Sequence, residues 1–438
     1  MKPVKLLALF LAALLLLSGC GGGGTLIPGE TEDETKTAAV TEQETTEETE
    51  PTGLQSVWSP MKEAPDYTLP AGASPDEIRA MAVKAMHDEI SVQWFVEKSF
   101  SYDNKNGQKM PVNAGEVYAG LPYTQSATGL FQWLQYYDTA TGKMAPSISG
   151  DLQQWLGNSC AASVIWGWYS VAATTGGNAT FTMTPTRGYL PVGGYQLDPS
   201  VSNYKDYNTE QIVADNGSQA MLKAYAAVQT ADAVVSYKSD GEISGHAQMA
   251  IEPAHVVYKD GAIDPDNSYL LVQDQHKGQT KNTEPFVTEL DGNRVHYAGH
   301  VELKMTFAEL LKACYIPLTC AEFTGAKPYT VPTVTAAGAE DVQSPDDLKT
   351  LTVSSPYTIA VIRARVLDGE EVLVESKKMM GSTDLYNDTA KVYDMKGFAP
   401  PSLARKGEKG KTYRLTLEVI LASGSVFTPV DTQFVYNG

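Results

Sequence analysis

Helical patterns come before strand patterns along this chain. Residues 74–77 form a capping box with proline at the first helical position, and the apolar residues that follow at helical spacing predict a helix over 75–97. Short apolar runs that suit strands occupy much of residues 233–305. Helices followed by an antiparallel meander predict the α+β class, with helices packed on an antiparallel sheet. One further predicted helix follows a turn at 120–123, a second begins at residue 160, and two more span 215–228 and 307–313. The predicted strands span 233–237, 246–257, 269–274 and 297–305.

The chain is long enough for two domains. It has 438 residues, and roughly 380 remain after its N-terminal region, whereas domains commonly hold about 100–200 residues. Two prolines in residues 327–333 predict a boundary. The Val, Ile, Thr and Tyr runs beyond it, separated by turn signals, predict a β-sandwich of about 100 residues. We therefore predict a first domain over residues 61–326 and an immunoglobulin-like sandwich over residues 335–438.

The N-terminus has the features of a signal peptide. Two lysines precede an apolar stretch over residues 6–17, which is short for a membrane-spanning helix. The stretch ends in Leu-Ser-Gly-Cys at 17–20, which resembles the bacterial lipobox, where cleavage leaves an acylated cysteine as the new N-terminus. We predict a lipoprotein signal over residues 1–20, with Cys20 lipidated and the protein anchored on the extracellular face of a bacterial cell membrane. An ordinary secretory signal with an incidental cysteine is the alternative.

An acidic linker is predicted over residues 21–60. Four glycines follow Cys20, and residues 30–50 contain nine carboxylates against the single Lys36. Such a segment has few apolar side chains to bury, so we expect a disordered, self-repelling spacer. It supplies eight of the nineteen net negative charges, so the rest of the chain is only moderately acidic. We expect no nucleic-acid partner, because the sequence has no basic stripe with interleaved aromatic residues.

Cys160 is the strongest candidate for chemistry. It follows Gly-Asn-Ser and precedes Ala-Ala-Ser-Val-Ile-Trp, a pattern typical of a turn that opens a buried helix. Helix N-termini favour negative charge, so a cysteine at that position gains thiolate character. Cys314 and Cys320 could pair with each other outside the cell, which would leave Cys160 as a lone thiol in an exported protein. A buried structural cysteine is the alternative.

His246 is the best-placed base among the six histidines. It begins a predicted strand whose alternation directs the apolar side chains to the packed face and His246 away from it. A nucleophilic thiol needs such a base and also a third polar group that orients the ring. Asp274, at the end of the next strand, is the first candidate for this third group, and Gln275 is the second.

Four short motifs follow one another along the first predicted domain. They are Gly-Leu-Pro-Tyr at 120–123, Asn-Ser-Cys-Ala-Ala-Ser at 158–163, Gly-His-Ala-Gln-Met-Ala at 245–250 and the polar strand end at 274. Their order resembles the NlpC-type papain-like cell-wall cysteine peptidases, over about residues 110–320. The resemblance implies a papain-like core for residues 61–326. It also implies four roles: nucleophile for Cys160, base for His246, third polar residue for Asp274 or its neighbour, and oxyanion stabilisation for Tyr123.

The resemblance implies a surface hydrolase that cuts amide bonds in cell-wall or other extracellular peptides. Ser159, next to the nucleophile, and Trp155, which could line a saccharide or peptide cleft, are candidate substrate-binding residues. An irregular insertion at 176–206 is expected to form a wall of the cleft. Family members typically read Asp-Cys-Ser-Gly where this chain has Ser-Cys-Ala-Ala at 159–162. Two other functions stay open, a non-catalytic papain-like binding or adhesion module and a transglutaminase-like acyl transferase.

We expect neither a metal site nor a cofactor. His296 and His300 have a spacing that joins two rings on a helix, but a strand would hold them about 13 Å apart. The Asp-Pro-Asp-Asn segment at 264–267 lacks the glycine and the closing glutamate of a calcium loop. A turn is the expected structure there.

Overall fold

The computed structural model describes residues 58–104, 109–173, 179–238, 244–276, 287–290, 293–380 and 391–438. It contains about 24% helix and 33% strand in several sheets, so the predicted α+β class is confirmed. The predicted signal peptide, Cys20 and most of the acidic linker lie outside the described residues. Within the described ranges, no helix has both the length and the apolar character needed to cross a membrane.

The elements are numbered in chain order. The α-helices of the described residues are α1 Pro75–Ser91, α2 Leu130–Trp133, α3 Ile148–Gln154, α4 Cys160–Tyr169, α5 Thr209–Asn216, α6 Ser218–Ala226 and α7 Phe307–Lys312. Short 3-10 helices span Leu134–Tyr136, Thr180–Thr182, Pro185–Arg187, Ala339–Asp341, Pro345–Thr350 and Met395–Gly397. The strands are β1 Gln93–Phe95, β2 Phe100–Asp103, β3 Lys109–Val112, β4 Val117–Ala119, β5 Tyr137–Asp138, β6 Lys143–Met144, β7 Leu190–Pro191, β8 Ala233–Lys238, β9 Ser244–Ala250, β10 Tyr258–Lys259, β11 Ala262–Ile263, β12 Tyr269–Gln275, β13 Val287–Leu290, β14 Asn293–Tyr297, β15 Gly299–Thr306, β16 Ile316–Thr319, β17 Thr335–Ala337, β18 Thr352–Ser355, β19 Ile359–Asp368, β20 Glu371–Met379, β21 Lys391–Asp394, β22 Thr412–Leu421 and β23 Val426–Val435.

The first helix begins where the sequence predicts and ends earlier. The Ser74 hydroxyl accepts from the Glu77 N–H at 3.3 Å, and the Glu77 carboxylate accepts from the Ser74 N–H at 2.8 Å, which completes the capping box. α1 ends at Ser91, whereas the sequence predicts a helix to residue 97. The reason is that β1 follows at once, pairs with β4 and buries Trp94 completely.

The central sheet has the strand order β15-β12-β9-β8-β16-β7, and its strand pairs are antiparallel. Every residue of α4 is buried. A Cβ on Gly167 in the middle of α4 would lie 3.0 Å from Met86 of α1 and 3.0 Å from Met249 of β9. The helix that begins with Cys160 is therefore packed between α1 and the central sheet, and a side chain at Gly167 would crowd both neighbours.

Three further predicted elements are shorter or divided in the structure. The strand predicted at 246–257 ends at Ala250, before the bend at Pro253. The strand predicted at 297–305 is two strands, because β14 pairs with β4 in another sheet and β15 pairs with β12. The helix predicted at 215–228 is replaced by α5 and α6, which meet at Gly217 with a φ of +75°.

A second sheet has the order β13-β14-β4-β1-β6-β5, and four of its strands contribute residues to a separate hydrophobic cluster. Trp94 stacks on Tyr118 with 4.7 Å between ring centroids, and Tyr118 stacks on His296 with 5.0 Å. The Trp94 indole N–H donates to the Gly120 carbonyl at 2.8 Å. This sheet therefore fixes the start of the 120–123 turn, which contains Tyr123.

Residues 335–438 contribute two further sheets, β17-β18-β21 and β20-β19-β22-β23. One hydrophobic cluster contains buried residues of both sheets and of the first part of the chain. The Tyr67 N–H, for example, donates to the Ser423 carbonyl at 2.7 Å, and the Tyr357 hydroxyl donates to the Thr330 carbonyl at 2.7 Å. These contacts join the C-terminal sheets to the rest of the protein, and the division into domains at 327–333 stays a prediction.

Arg79 joins α1 to the turns that flank the central sheet. Its buried guanidinium donates to Asp232 Oδ1 at 2.7 Å, to the Thr230 carbonyl at 2.5 Å and to the Phe323 carbonyl at 3.1 Å. The Asp232 carboxylate is itself almost fully buried. Such a pair is costly to break from one side, because the remaining charge stays buried without its counter-ion.

Arg79→Ala is therefore expected to lower the free energy of unfolding by about 3–5 kcal/mol. Urea denaturation followed by circular dichroism measures this loss. Lys349→Ala serves as the control, since it removes only an exposed ion pair with Asp346 and should cost less than about 0.5 kcal/mol. A loss for Arg79→Ala as small as that of Lys349→Ala would show that the buried contacts of Arg79 do not stabilise the fold.

Candidate active site

Cys160 is the first residue of α4, as the sequence predicts. Ser159 is the N-cap, its backbone is extended, and its side chain makes no capping hydrogen bond. Cys160 is 3% exposed, and its Sγ lies 3.9 Å from the Gly245 carbonyl oxygen. The thiol thus lies beside the residue that precedes His246, although 85 positions separate the two in the chain.

The turn before α4 is built around Gly157 and Asn158. Gly157 has a φ of +102°, and a Cβ there would lie 2.6 Å from the Thr124 side chain and 2.8 Å from the Pro122 carbonyl. Asn158 then pairs with Tyr123 in a parallel bridge, with the Thr124 N–H donating to the Asn158 carbonyl at 2.7 Å. The predicted oxyanion segment at 120–123 is therefore joined to the backbone two residues before Cys160.

His246 lies on β9, next to α4. It is opposite Ser236 of β8, and its side chain is 21% exposed. Its Nε2 lies 2.8 Å from Oδ2 of Asp274, the first candidate for the orienting group. Because Nε2 donates to a carboxylate, we infer that Nδ1 is the ring nitrogen that exchanges a proton.

Asp274 is a buried carboxylate on which four donors converge. His246 Nε2 lies at 2.8 Å and Gln248 Nε2 at 3.2 Å from Oδ2, while His300 Nδ1 at 2.9 Å and its N–H at 3.0 Å meet Oδ1. Burial alone would raise the pKa of the Asp274 carboxyl, but the hydrogen bonds and charges of His246 and His300 hold it well below the ordinary value of 3.8. Asp274 is therefore ionised and orients both imidazoles.

Gln275 does not orient His246. Its side-chain amide donates to the Leu121 carbonyl, so the second candidate for the orienting group has another partner. The contact connects β12 to the 120–123 turn. Gln275 therefore supports the position of Tyr123, a residue that is 2% exposed.

The two predicted substrate-binding residues differ in their surroundings. Ser159 is nearly buried, at 8% exposure, and directly precedes the thiol. Trp155 packs against a different hydrophobic cluster, where its indole N–H donates to Asp151 Oδ1 at 3.1 Å. These contacts give Trp155 a packing role, and a role in a cleft finds no support in them.

The described part of the 176–206 insertion lies beside Gly245. A Cβ on Gly245 would meet the Thr180 side chain at 3.2 Å, and the Phe181 ring contacts Tyr237 of β8 at 6.0 Å between centroids. Residues 179–182 therefore border the strand that carries His246. Residues 174–178, 239–243 and 277–286, which adjoin this region in sequence, are not among those described.

Sequence reasoning missed His300 and Gln248 as partners of Asp274. His300 lies directly opposite Asp274 in the β12–β15 pair, just after an irregularity between Val272 and Asp274. Alternation within β9 does direct Gln248 to the same face as His246, and this signal was available in the sequence. The register between β12 and β15 was not, because it depends on the bulge.

His296, His300 and the 264–267 segment lie in different parts of the fold. Within the described ranges, no group of three or more His, Cys, Asp and Glu side chains is arranged to hold a metal ion. His296 stacks on Tyr118 in the second sheet, whereas His300 lies on β15 of the central sheet. The Asp264 carboxylate accepts from the Asp266 N–H at 3.1 Å and from Asn267 Nδ2 at 2.8 Å, which is the geometry of a turn.

Comparison with models of protein families, with curated proteins and with solved structures found no match. The resemblance to NlpC-type peptidases therefore stays a prediction from the four motifs.

Asp274→Asn is expected to lower the free energy of unfolding at neutral pH by about 1–3 kcal/mol, because an amide NH₂ would face donors that need acceptors. It should also reduce the fall in the free energy of unfolding that occurs at acid pH. The folded pKa of Asp274 is depressed, so its contribution is present above 3.8 and is lost as the pH falls below that value. Urea denaturation over a pH series measures both effects.

Asp266→Asn is the control for this prediction, since Asp266 is exposed in a turn. It should leave stability and its pH dependence nearly unchanged. Equal curves for the unsubstituted protein and Asp274→Asn would mean that the converging donors do not hold an ionised carboxylate.

Proposed function

We propose that this protein is a surface-anchored cysteine hydrolase that cleaves amide bonds, with cell-wall peptides as its expected substrates. The observation that carries the proposal is the position of the Cys160 Sγ, 3.9 Å from the carbonyl of the residue that precedes His246. The 2.8 Å contact of His246 Nε2 with Asp274 supplies the orienting group. A thiol, a base and a group that orients the base are the three parts of this chemistry.

The reaction follows from these three side chains. His246 Nδ1 takes the proton of the Cys160 thiol, and the thiolate attacks the carbonyl carbon of the scissile amide. The protonated ring then gives its proton to the leaving amine, and a thioester remains on Cys160. Water, deprotonated by His246, hydrolyses the thioester, which releases the carboxylic acid and restores the thiol.

Two features favour the developing negative charges. Cys160 begins α4, so its sulfur lies near the positive end of the helix dipole, and helix N-termini favour negative charge. We assign stabilisation of the oxyanion to the Cys160 N–H and the Tyr123 side chain, whose segment pairs with Asn158. Asp274 compensates the positive charge on His246 during the reaction.

An acyl transferase of the transglutaminase type is the second candidate. The observation that favours it is the identity of the orienting group, since an ionised aspartate on the strand after the histidine gives the order Cys, His, Asp. In that reaction an amine, and not water, would take the acyl group from the Cys160 thioester. The non-catalytic module is the remaining alternative. It is favoured by Ser159 and Ala161, which stand where the family typically has the Asp and the Ser that flank the thiol.

Cys160 is expected to react with iodoacetamide much faster than the other described cysteines at about one to two pH units below the ordinary thiol pKa of about 8.5. Cys314 and Cys320 carry free thiols, and burial raises the pKa of both. Peptide mass spectrometry over a time course measures each rate separately. Alkylation of Cys160 at the rate of an ordinary thiol would favour the non-catalytic module.

Cys160→Ala is expected to abolish turnover of peptidoglycan fragments without changing the circular dichroism spectrum. Mass spectrometry of the fragments detects cleaved amide bonds, and added primary amine distinguishes hydrolysis from amine incorporation. Cys314→Ala, which removes a half-buried thiol outside the site, is the matched control. Retained hydrolysis in Cys160→Ala would refute the nucleophile, and amine incorporation in the unsubstituted protein would favour the acyl transferase.

A further inference from the structure

Glu89, near the C-terminal end of α1, is a buried carboxyl group that the reaction above does not use. It is 2% exposed. Asn158 Nδ2 and Ser163 Oγ both donate to Glu89 Oε1, the second at 2.6 Å. These two donors lie two residues before and three residues after Cys160, so one carboxyl group holds both sides of the nucleophile.

The Asn158 side chain extends this contact to the helix start. Its amide nitrogen donates to Glu89, while its Oδ1 accepts from the Ser159 N–H at 2.8 Å. Its backbone pairs with the oxyanion segment, since the Asn158 N–H donates to the Pro122 carbonyl at 3.0 Å. A displacement of Asn158 would therefore move both the start of α4 and its partner segment.

Glu89 also holds the oxyanion segment through its own backbone. The Leu121 N–H donates to the Glu89 carbonyl at 3.2 Å. Leu121 in turn accepts from the Gln275 amide of β12, the strand that carries Asp274. One residue of α1 thus contacts the segments before and after the nucleophile and the segment of Tyr123.

The charge of Glu89 is set by its surroundings. Burial raises the pKa of the Glu89 carboxyl from 4.5 to about 8, although three donors oppose the shift. Among the described residues, Tyr67 is the titratable side chain that faces it from another element, and burial raises the pKa of its hydroxyl as well. The groups that contact the Glu89 carboxyl are Asn158, Ser163 and the Leu130 N–H, and Tyr67 interacts with it electrostatically.

We propose that Glu89 is a positioning residue for Cys160. Its carboxyl holds the start of α4 and the 120–123 segment in one arrangement. Because this carboxyl is neutral, it adds no negative charge near a nucleophile that must itself become negative. This inference rests on the proposed hydrolase site. It predicts that Cys160 stays reactive when a neutral side chain of the same shape replaces Glu89, and that removal of the side chain makes Cys160 less reactive.

The test compares the iodoacetamide alkylation rate of Cys160 in three full-length proteins. Glu89→Ala is expected to alkylate roughly tenfold or more slowly than the unsubstituted protein, because small displacements of reacting groups are costly. Glu89→Gln, which retains an acceptor and a neutral charge, is expected to restore most of the rate. Glu97→Ala is the matched control, since this exposed carboxylate pairs only with Lys143 among its described contacts.

If Glu89→Ala does not fold, Ser163→Ala replaces it, because that variant removes one of the two side-chain contacts near Cys160 and leaves the carboxyl in place. It should also slow alkylation. Rates in Glu89→Ala or Ser163→Ala equal to that of the unsubstituted protein would overturn the inference. Slow alkylation of Cys160 in the unsubstituted protein would instead count against the proposed hydrolase.

The charge of Glu89 has its own readout in stability. The folded pKa is raised, so the folded protein keeps a proton that the unfolded chain loses between pH 4.5 and about 8. The free energy of unfolding of the unsubstituted protein should therefore fall as the pH rises across this window. The part of this fall that comes from Glu89 should be absent from Glu89→Gln. Identical pH dependence in the two proteins would show that Glu89 is ionised in the fold and would overturn the proposal.

Discussion

The buried carboxylate of Asp274 is the interaction on which the candidate site depends. A single ionised group deep in the protein needs several donors, because an uncompensated buried charge is very costly. Its donors come from β9 and β15, which flank β12 in the central sheet. The register of three strands and the orientation of His246 are therefore parts of one arrangement. A slip of one residue in either pair would turn the donors to the other face.

The local features of the site could be predicted from the sequence because they depend on neighbouring residues. The helix start at Cys160 follows from a turn ahead of a buried apolar run, and alternation along β9 gives the direction of His246. The α+β class follows from the order of the patterns. Asp274 could be named as a candidate because it ends the next strand. The sequence did not separate it from Gln275, since the choice depends on side-chain contacts across strands.

The remaining features depend on contacts between residues far apart in the chain. His300 binds Asp274 only because a bulge sets the register of β15, and no local pattern encodes that register. The early end of α1 at Ser91 reflects the pairing of β1 with β4, a tertiary interaction that overrides helix propensity. Glu89 resembles any polar residue of an amphipathic helix until its position beside Asn158 is known.

We propose that Cys160 and His246 share a proton at the tip of α4. The most direct measurement is the ultraviolet absorbance of thiolate that disappears on alkylation of Cys160, recorded about two pH units below the ordinary thiol pKa of about 8.5. We expect close to one thiolate per molecule in the unsubstituted protein and almost none in His246→Ala. Absence of thiolate in the unsubstituted protein, or an equal signal in both proteins, would contradict it.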